Sequence, residues 1–351
     1  MSVFGKNISV EIFGESHGEC IGVRIKNLKK GEKIDKNRLQ AFLDLRAPGK
    51  NEFSTPRKEE DKVEFISGVD VHGETNGEAL EAVIHNTNTR SQDYEKTVPR
   101  PGHADYPAYV KYGRIPAGGG KYSGRLTAPL CIAGGIALQA LEKRGIRIDA
   151  HVLAIHGGCD DSFDCLSQDV EEVFKKPFPV INDEKGEKMK KEILKAKEDG
   201  DSVGGIVECK ITGLPVGVGD AIFDGIDGHI AQAIFGIPAV KGIEFGAGFT
   251  SANMYGSENN DNYYMDNGVK TFTNNAGGVL GGMSSGMPLI FTVAFKPTPS
   301  IYKEQKSVDL KTGKDTLFSV KGRHDPCIVQ RAVPPVIAAA AIAVYDLLEE
   351  V

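Results

Sequence analysis

Several familiar signatures are missing from this sequence, and each absence removes a class of function. No two cysteines have C-x-x-C spacing, and no histidine stands at zinc-ligand spacing from a cysteine. The six cysteines, at 20, 131, 159, 165, 209 and 327, therefore do not spell a zinc site, and no metal is expected. No strict G-x-G-x-x-G occurs and no G-x-x-x-x-G-K-[ST], so neither a Rossmann dinucleotide site nor a Walker phosphate loop is supported. An excess of positive charge is also lacking: the formal net charge is -6, which argues against a general nucleic-acid binder but leaves room for local basic clusters around small anions. The longest apolar run, Ala332 to Tyr345, carries two prolines and falls short of the ~18 residues of a membrane span. With no signal-peptide pattern at the N-terminus, the expected compartment is the cytosol, with free thiols.

What is present begins with glycine. There are 42 in 351 residues, well above the usual ~7%, beside no tryptophan at all. Tight turns and close backbone approaches are expected. No repeat or low-complexity linker divides the chain, so we expect one domain over 1–351. Asp35 reads as the N-cap of a helix carrying Leu39, Phe42 and Leu43, stopped by Pro48-Gly49, with Arg46 in its last turn. Residues 63–68 read as a strand; 78–86 fit a strand or a helix equally. Thr127 to Arg144 is an apolar helix ended by Gly145, followed by a strand over 146–156. Residues 184–199 form a charged helix with Met189, Ile193 and Ala196 as its apolar stripe, and "GIVECKITGL" is strand-like. Pro334-Pro335 should open a last helix, since proline is tolerated in a first turn. Strands and helices mix without βαβ alternation, which predicts a layered α+β fold.

Four segments carry chemistry. "GESHG", 14–18, frames His17 between glycines that permit φ > 0 and close approach of a ligand; alone it fits a β-turn with an exposed histidine better than a general acid. "PRPGHADYP", 99–107, fixes His103 and Asp105 in a proline-rich loop, as a catalytic platform or simply as a turn. "GGGKYSGR", 118–125, opens onto the apolar helix, and its backbone N–H groups with Lys121, Ser123 and Arg125 suit an anion. "KGRHDPCIVQRAVPP", 321–335, brings Arg323, His324, Asp325 and Arg331 together, for function or as a surface ion pair. A further glycine run, "NNAGGVLGGMSSG" at 274–286, and "KPTPS" at 296–300 suit either close approach to a ligand or packing between layers. Histidines on constrained loops, arginines at helix ends and glycine-rich loops together point to an enzyme acting on a phosphorylated small molecule, with a phosphate-bearing cofactor.

Read in order, "FGESHG", "RSQDY", "RPGHADY", "KYG", "GGG" before the long helix, "GDSVGG", "AVKGIEFG", "NNAGGVLGGMSSG", "KPTPSI" and "GRHDPCIVQRAVPP" resemble the chorismate synthase family, from residue 13 to 335. The resemblance implies a β-α-β sandwich with helices between antiparallel sheets, assembled as a homotetramer. It implies a lyase that takes 5-enolpyruvylshikimate 3-phosphate to chorismate and phosphate by anti-1,4-elimination. The cofactor implied is reduced FMN, in a reaction without net redox change. By match to the family motifs, His17 would protonate the leaving phosphate, His103 would protonate or hydrogen-bond the flavin, and Asp325 would assist proton removal at flavin N5. Arg46 and Arg125 would clamp the substrate. Lys121, Tyr122, Ser123, Ala239, Gly281, Lys296, Pro297, Thr298, Pro299, Ser300 and Arg323 would form the flavin site.

The chain departs from the family pattern at Glu52, where a second arginine is usual, at Lys121-Tyr122, where Arg-Ser is usual, and at Pro238, where asparagine is usual. Arg57 or Lys50 would replace the charge lost at Glu52. Some family members reduce their own flavin with NADP(H); with no dinucleotide fingerprint here, an external reductant is expected. The resemblance leaves a second reading, a non-catalytic flavin-binding protein that keeps the fold, against which stands the presence of all three of His17, His103 and Asp325.

Overall fold

The computed structural model describes residues 2–47, 49, 61–86, 97–320 and 324–349. Two five-stranded antiparallel sheets face each other across a layer of helices. The first sheet holds β1 (Ser2–Phe4), β2 (Ser9–Gly14), β3 (Cys20–Lys26), β4 (Glu64–Ser67) and β5 (Leu80–His85), in the order β1-β2-β3-β5-β4. The second holds β6 (Arg147–Ile155), β7 (Gly158–Cys159), β8 (Gly205–Thr212), β9 (Val240–Phe245) and, after four short strands in two hairpins, a long strand over Leu289–Phe295. The short strands are β10 (Tyr263–Met265) paired with β11 (Val269–Thr271), and β12 (Val279–Leu280) paired with β13 (Met283–Ser284); the long strand is β14. The order of the second sheet is β7-β6-β8-β14-β9. A last hairpin, β15 (Gln305–Asp309) and β16 (Lys314–Phe318), stands apart from both sheets.

The helices are α1 (Lys36–Arg46), α2 (Asp105–Tyr112), α3 (Thr127–Lys143), α4 (Asp183–Glu198), α5 (Ile226–Phe235), the single turn α6 (Gly256–Asn259) and α7 (Val329–Leu348). Helix α3 packs on β3 and β5 of the first sheet, α7 packs on β6 and β8 of the second, and α3 and α7 pack on each other. Buried apolar residues from Ile8 to Leu348 form one continuous core through these layers. The fold is α+β, as the sequence pattern requires, with helices between antiparallel sheets.

Local side-chain chemistry sets the starts of two helices. Asp35 accepts hydrogen bonds from the backbone N–H groups of Asn37 and Arg38 and caps α1. Asn182 does the same for α4, whose buried face is Gly186, Met189, Ile193 and Ala196. The ambiguous segment over 78–86 is strand β5, paired on both sides by β3 and β4. One expectation is corrected: α7 starts at Val329, so Pro334 and Pro335 lie in its second turn instead of opening it. The residue before a proline disfavours α geometry, but burial of Val329, Gln330 and Val333 in the core extends the helix upstream. At 20 residues α7 is long and apolar enough to cross a bilayer, as is the stretch Gly124–Lys143, yet 94% and 89% of their respective apolar windows lie inside the protein. Both are core helices. All six cysteines are free, with Cys131, Cys209 and Cys327 buried.

Two consecutive glycines seat α3 in this layer. A Cβ on Gly134 would stand 2.2 Å from Cα of Ala338 on α7, and one on Gly135 would stand 2.6 Å from Leu39 of α1. Side-chain-free surface lets the α3 and α7 backbones touch. Gly134→Ala should therefore destabilise the fold by about 1–3 kcal/mol through overpacking, although alanine is the better helix former by about 1 kcal/mol. The check is thermal unfolding, where a melting temperature equal to or above wild type would refute the packing account.

Candidate active site

Where the ends of α1, α3 and α7 come together, a cavity of about 630 Å³ opens. Among the described residues, seven basic side chains line it, Arg46, Arg100, Lys121, Arg125, Lys241, Lys296 and Arg331, and one carboxylate, Asp325. Each comes from a defined element. Arg46 is the last residue of α1, Arg125 lies in the turn that leads into α3, and Arg331 lies in the first turn of α7. The first turns of α3 and α7 also contribute Thr127 and Ala332 to the wall, so two helix N-termini add their positive ends to the basic field.

The triple-glycine loop shapes one wall. Gly118, Gly119 and Gly120 have φ of 61°, 84° and 52°, the left-handed region in which a side chain is strained. Side chains are excluded there for a second reason. A Cβ on Gly118 would lie 2.5 Å from the ring of His17, and one on Gly119 would lie 3.2 Å from the ring of His103. Two imidazoles from distant segments thus rest against neighbouring residues of one loop. Ser16, fully buried, ties its own turn to that loop: its hydroxyl donates to the Gly118 carbonyl at 3.1 Å and its N–H to the Gly120 carbonyl at 3.3 Å. Of the glycines that frame His17, only Gly14 adopts positive φ, at 91°; Gly18 instead closes the turn by donating its N–H to Glu15. His17 is half-buried, not an exposed turn residue.

His103 is oriented by a carboxylate. Its Nδ1 lies 2.7 Å from Asp105 Oδ1. Arg100 donates to both oxygens of Asp105, at 2.7 and 2.8 Å. Burial alone would raise the Asp105 pKa, but the hydrogen bonds from Arg100 and His103 outweigh it and hold the carboxyl well below the usual carboxylate range. An ionised Asp105 only accepts, so His103 carries its proton on Nδ1, and Arg100 Nη2, 3.1 Å from Nδ1, is satisfied by Asp105 instead. Nε2 is left as the nitrogen for exchange with a ligand.

The arginines are organised in the same way. Asp61, fully buried, pairs with Arg46 through one oxygen and with Arg125 through the other. Burial would raise its pKa; the two guanidinium groups outweigh that and hold it below the ordinary value. Asp325 accepts from Arg331 Nη1 at 2.7 Å. On the opposite wall, the segment 296–300 is pinned by the Lys296 N–H donating to Ala239 at 3.0 Å, by Ser202 donating to the Thr298 carbonyl at 2.7 Å and by Arg100 donating to Ser300 at 3.3 Å. Ala239 has φ of 75° beside a bulge between β9 and β14, a strained geometry for alanine that the sheet imposes. Burial, then the neighbouring Lys241, lowers the Lys296 pKa. Lys121 donates to Tyr112 at 2.8 Å, and that bond, with one involving Tyr122, lowers the Tyr112 phenol to about 8.

The cavity therefore collects His103, Asp325, Arg46, Arg125, Lys121, Tyr122, Ser123, Ala239, Lys296, Thr298, Pro299 and Ser300. His17 stands behind Gly118 and is not itself in the wall. Two residues expected in the site are not among those lining the cavity: Gly281 sits exposed in the turn between β12 and β13, and Pro297 is exposed. Arg57, Arg323, Lys50 and Glu52 lie outside the described residues. Sequence reasoning missed Asp61 entirely and gave Arg331 no role; a single aspartate in a charged run carries no signal of its partners. Among the described residues no three His, Cys, Asp or Glu side chains are grouped to hold a metal ion.

The layered α+β fold and a basic, histidine-bearing cavity define an enzyme for a small polyanionic ligand. A family model for chorismate synthase matches residues 8–348. The chorismate synthase of Lancefieldella parvula is 44% identical over 365 residues, covering 99% of this chain and 96% of the relative. Those of Korarchaeum cryptofilum and Methanosarcina mazei are 43% and 42% identical over 349 residues, each covering 98% of this chain, and 96% and 95% of the relative. A crystal structure of chorismate synthase aligns with a TM-score of 0.74 at 26% identity, over 99% of this chain and 93% of the other. The chain belongs to the chorismate synthase family, and so is a lyase of aromatic amino acid biosynthesis.

His324, next to Asp325, generates a pH prediction. Burial, then the charge of Arg100, pushes its pKa down to about 4, against the opposing pull of Asp325. Between about pH 6.5 and 4 the unfolded chain binds a proton that the folded histidine refuses. The stability this group contributes is thus present above about pH 6.5 and lost as pH falls to 4, by up to about 3 kcal/mol. His324→Asn should lose correspondingly less stability than wild type between pH 7 and 4.5, read from urea midpoints. Equal losses in the two proteins would rule this out.

Proposed function

We propose that this chain converts 5-enolpyruvylshikimate 3-phosphate to chorismate and inorganic phosphate by anti-1,4-elimination, with reduced FMN bound in the same cavity. The observation that carries the reading is the convergence of His103, Asp325 and seven cationic side chains on one cavity, with His17 one glycine behind its wall. The substrate bears two carboxylates and a phosphate, and guanidinium forks match such oxygens. Arg46 and Arg125 bind these anionic groups from the α1–α3 side, while Arg331 orients Asp325.

The walls also fit a phosphate-bearing flavin. Thr298 Oγ1 is buried without a hydrogen-bond partner among the described residues, between Lys296 and Ser300, while Ile237, Pro238, Ala239 and Pro299 offer apolar surface for a ring. Lys121, Ser123, Lys296, Thr298 and Ser300 would hold the cofactor. Bound and reduced, the flavin supplies the electron density that lets an unactivated C–H bond and a C–O bond both break.

The protein supplies protons and placement. His17 donates a proton to the departing phosphate, which leaves more readily as the protonated anion. His103, with Nδ1 committed to Asp105, offers Nε2 to the cofactor. Asp325 would assist removal of the proton at N5 of the bound flavin. Flavin binding without catalysis is the weaker reading, because a binding protein has no use for a histidine–aspartate pair that fixes a tautomer.

The chain works as one domain, in the cytosol, and as a homotetramer in this proposal. Exposed Phe249, Tyr255, Tyr263, Met265 and Phe272 are the apolar surface we assign to contacts between copies. Light scattering should return a mass near four chains; a monomer would remove that assignment.

The test of function is anaerobic incubation with chemically reduced FMN and the substrate, followed by chorismate absorbance. His17→Ala should lower turnover by roughly 10²–10⁴-fold, the usual worth of a positioned acid, while FMN still binds. Near-normal turnover in that variant would remove His17 from the role, and flavin binding without product in wild type would favour the binding protein.

A further inference from the structure

The shared carboxylate beneath the cavity has a structural role that extends to the His17 turn. Asp61 is fully buried, and Arg46 and Arg125, which pair with its two oxygens, are 2% and 6% exposed. Two guanidinium groups buried side by side would repel strongly; a single anion between them removes that penalty and leaves one net positive charge. Nothing about Asp61 itself is loose. Gln40 of α1 donates to its carbonyl at 3.1 Å and accepts from the Val63 N–H at 3.2 Å.

Both arginines line the cavity, and neighbouring side chains hold further donors. Arg46 Nη1 is held by Thr127 at 3.1 Å, and its Nε is buried with no partner among the described residues. Arg125 Nε donates to Asn86 Oδ1 at 3.2 Å. Asn86, just past β5, then donates through Nδ2 to the carbonyls of Glu15 at 3.1 Å and Gly18 at 2.9 Å. These are the two ends of the turn that carries His17. One polar chain thus runs from Asp61 through Arg125 and Asn86 to the catalytic turn.

We propose that Asp61 is a positioning residue that sets Arg46 and Arg125 as one anion receptor, and that Asn86 ties the His17 turn to that receptor. The inference rests on the substrate reading above. On this view, the side chain that grips the anion and the acid that protonates it share one support, so their spacing is fixed before the substrate arrives.

Three variants test it, each with reduced FMN and 5-enolpyruvylshikimate 3-phosphate under anaerobic conditions, and with calorimetric binding of that substrate to the flavin-free protein. Asp61→Asn keeps the shape and removes the charge. It should raise KM and the substrate Kd tenfold or more, with FMN affinity within twofold of wild type. Asp61→Glu should recover most of the substrate affinity. Asn86→Ala should instead lower kcat about tenfold with a smaller change in KM, since the acid is displaced more than the clamp. An unchanged Kd in folded Asp61→Asn, or equal losses of substrate and flavin affinity, overturns the role of Asp61; an unchanged kcat in Asn86→Ala overturns the link to His17. If Asp61→Asn does not fold, Asp61→Glu and Asn86→Ala decide the two parts. A wild-type protein that neither binds nor turns over the substrate refutes the functional reading instead.

Discussion

Helices α3 and α7 meet backbone to backbone at Gly134 and Ala338, and the meeting of Arg46, Arg125 and Arg331 in the cavity depends on that contact. Each helix covers a different sheet, so the closeness of the pair sets the separation of the two sheets. It also brings the first turns of α3 and α7 to the same place, beside the last residue of α1. Arg46, Arg125 and Arg331 are spread over 285 residues of sequence yet share one wall, and Arg331 Nε donates to the carbonyl of Arg46 across that separation. A wider helix pair would leave these guanidinium groups on separate surfaces.

The same layer solves an electrostatic problem. A cavity with seven basic side chains is self-repelling unless anions are placed behind it. Asp61 sits between two arginines and Asp105 between Arg100 and His103, both buried and both outside the cavity wall. They neutralise part of the charge and fix side-chain direction. Buried charges are tolerable only when paired and hydrogen-bonded, and here the pairing doubles as aim. Glycine has a matching role in the triple-glycine loop, where two imidazoles approach the backbone more closely than any side chain would allow.

Much of this was legible in advance, and the failures have reasons. The Asp35 cap, the Met189–Ile193–Ala196 stripe and the strand over 205–212 follow from side-chain chemistry within a few residues of the feature itself. His103 beside Asp105 is equally local, two residues apart. By contrast, the strand over 80–85 had no decisive period, because Leu80, Ala82, Val83 and Ile84 are all buried and the alternation is lost. The start of α7 was misplaced because core burial outweighed the local preference before proline. Gly281 shares the glycine-rich character of the cavity loops but belongs to an exposed hairpin turn, and composition cannot tell the two uses apart.

The sequence by itself determined the elements, the family and the kinds of groups available, since caps, periodicity and ordered motifs are properties of neighbours along the chain. Only the tertiary structure decided which groups meet. Asp61 joining Arg46 to Arg125, Asn86 joining Arg125 to the His17 turn, and Ala239 held at positive φ over the segment 296–300 are all contacts between residues distant in sequence. Such contacts are set by how layers pack, and packing distances of a few ångströms leave no trace in the order of residues.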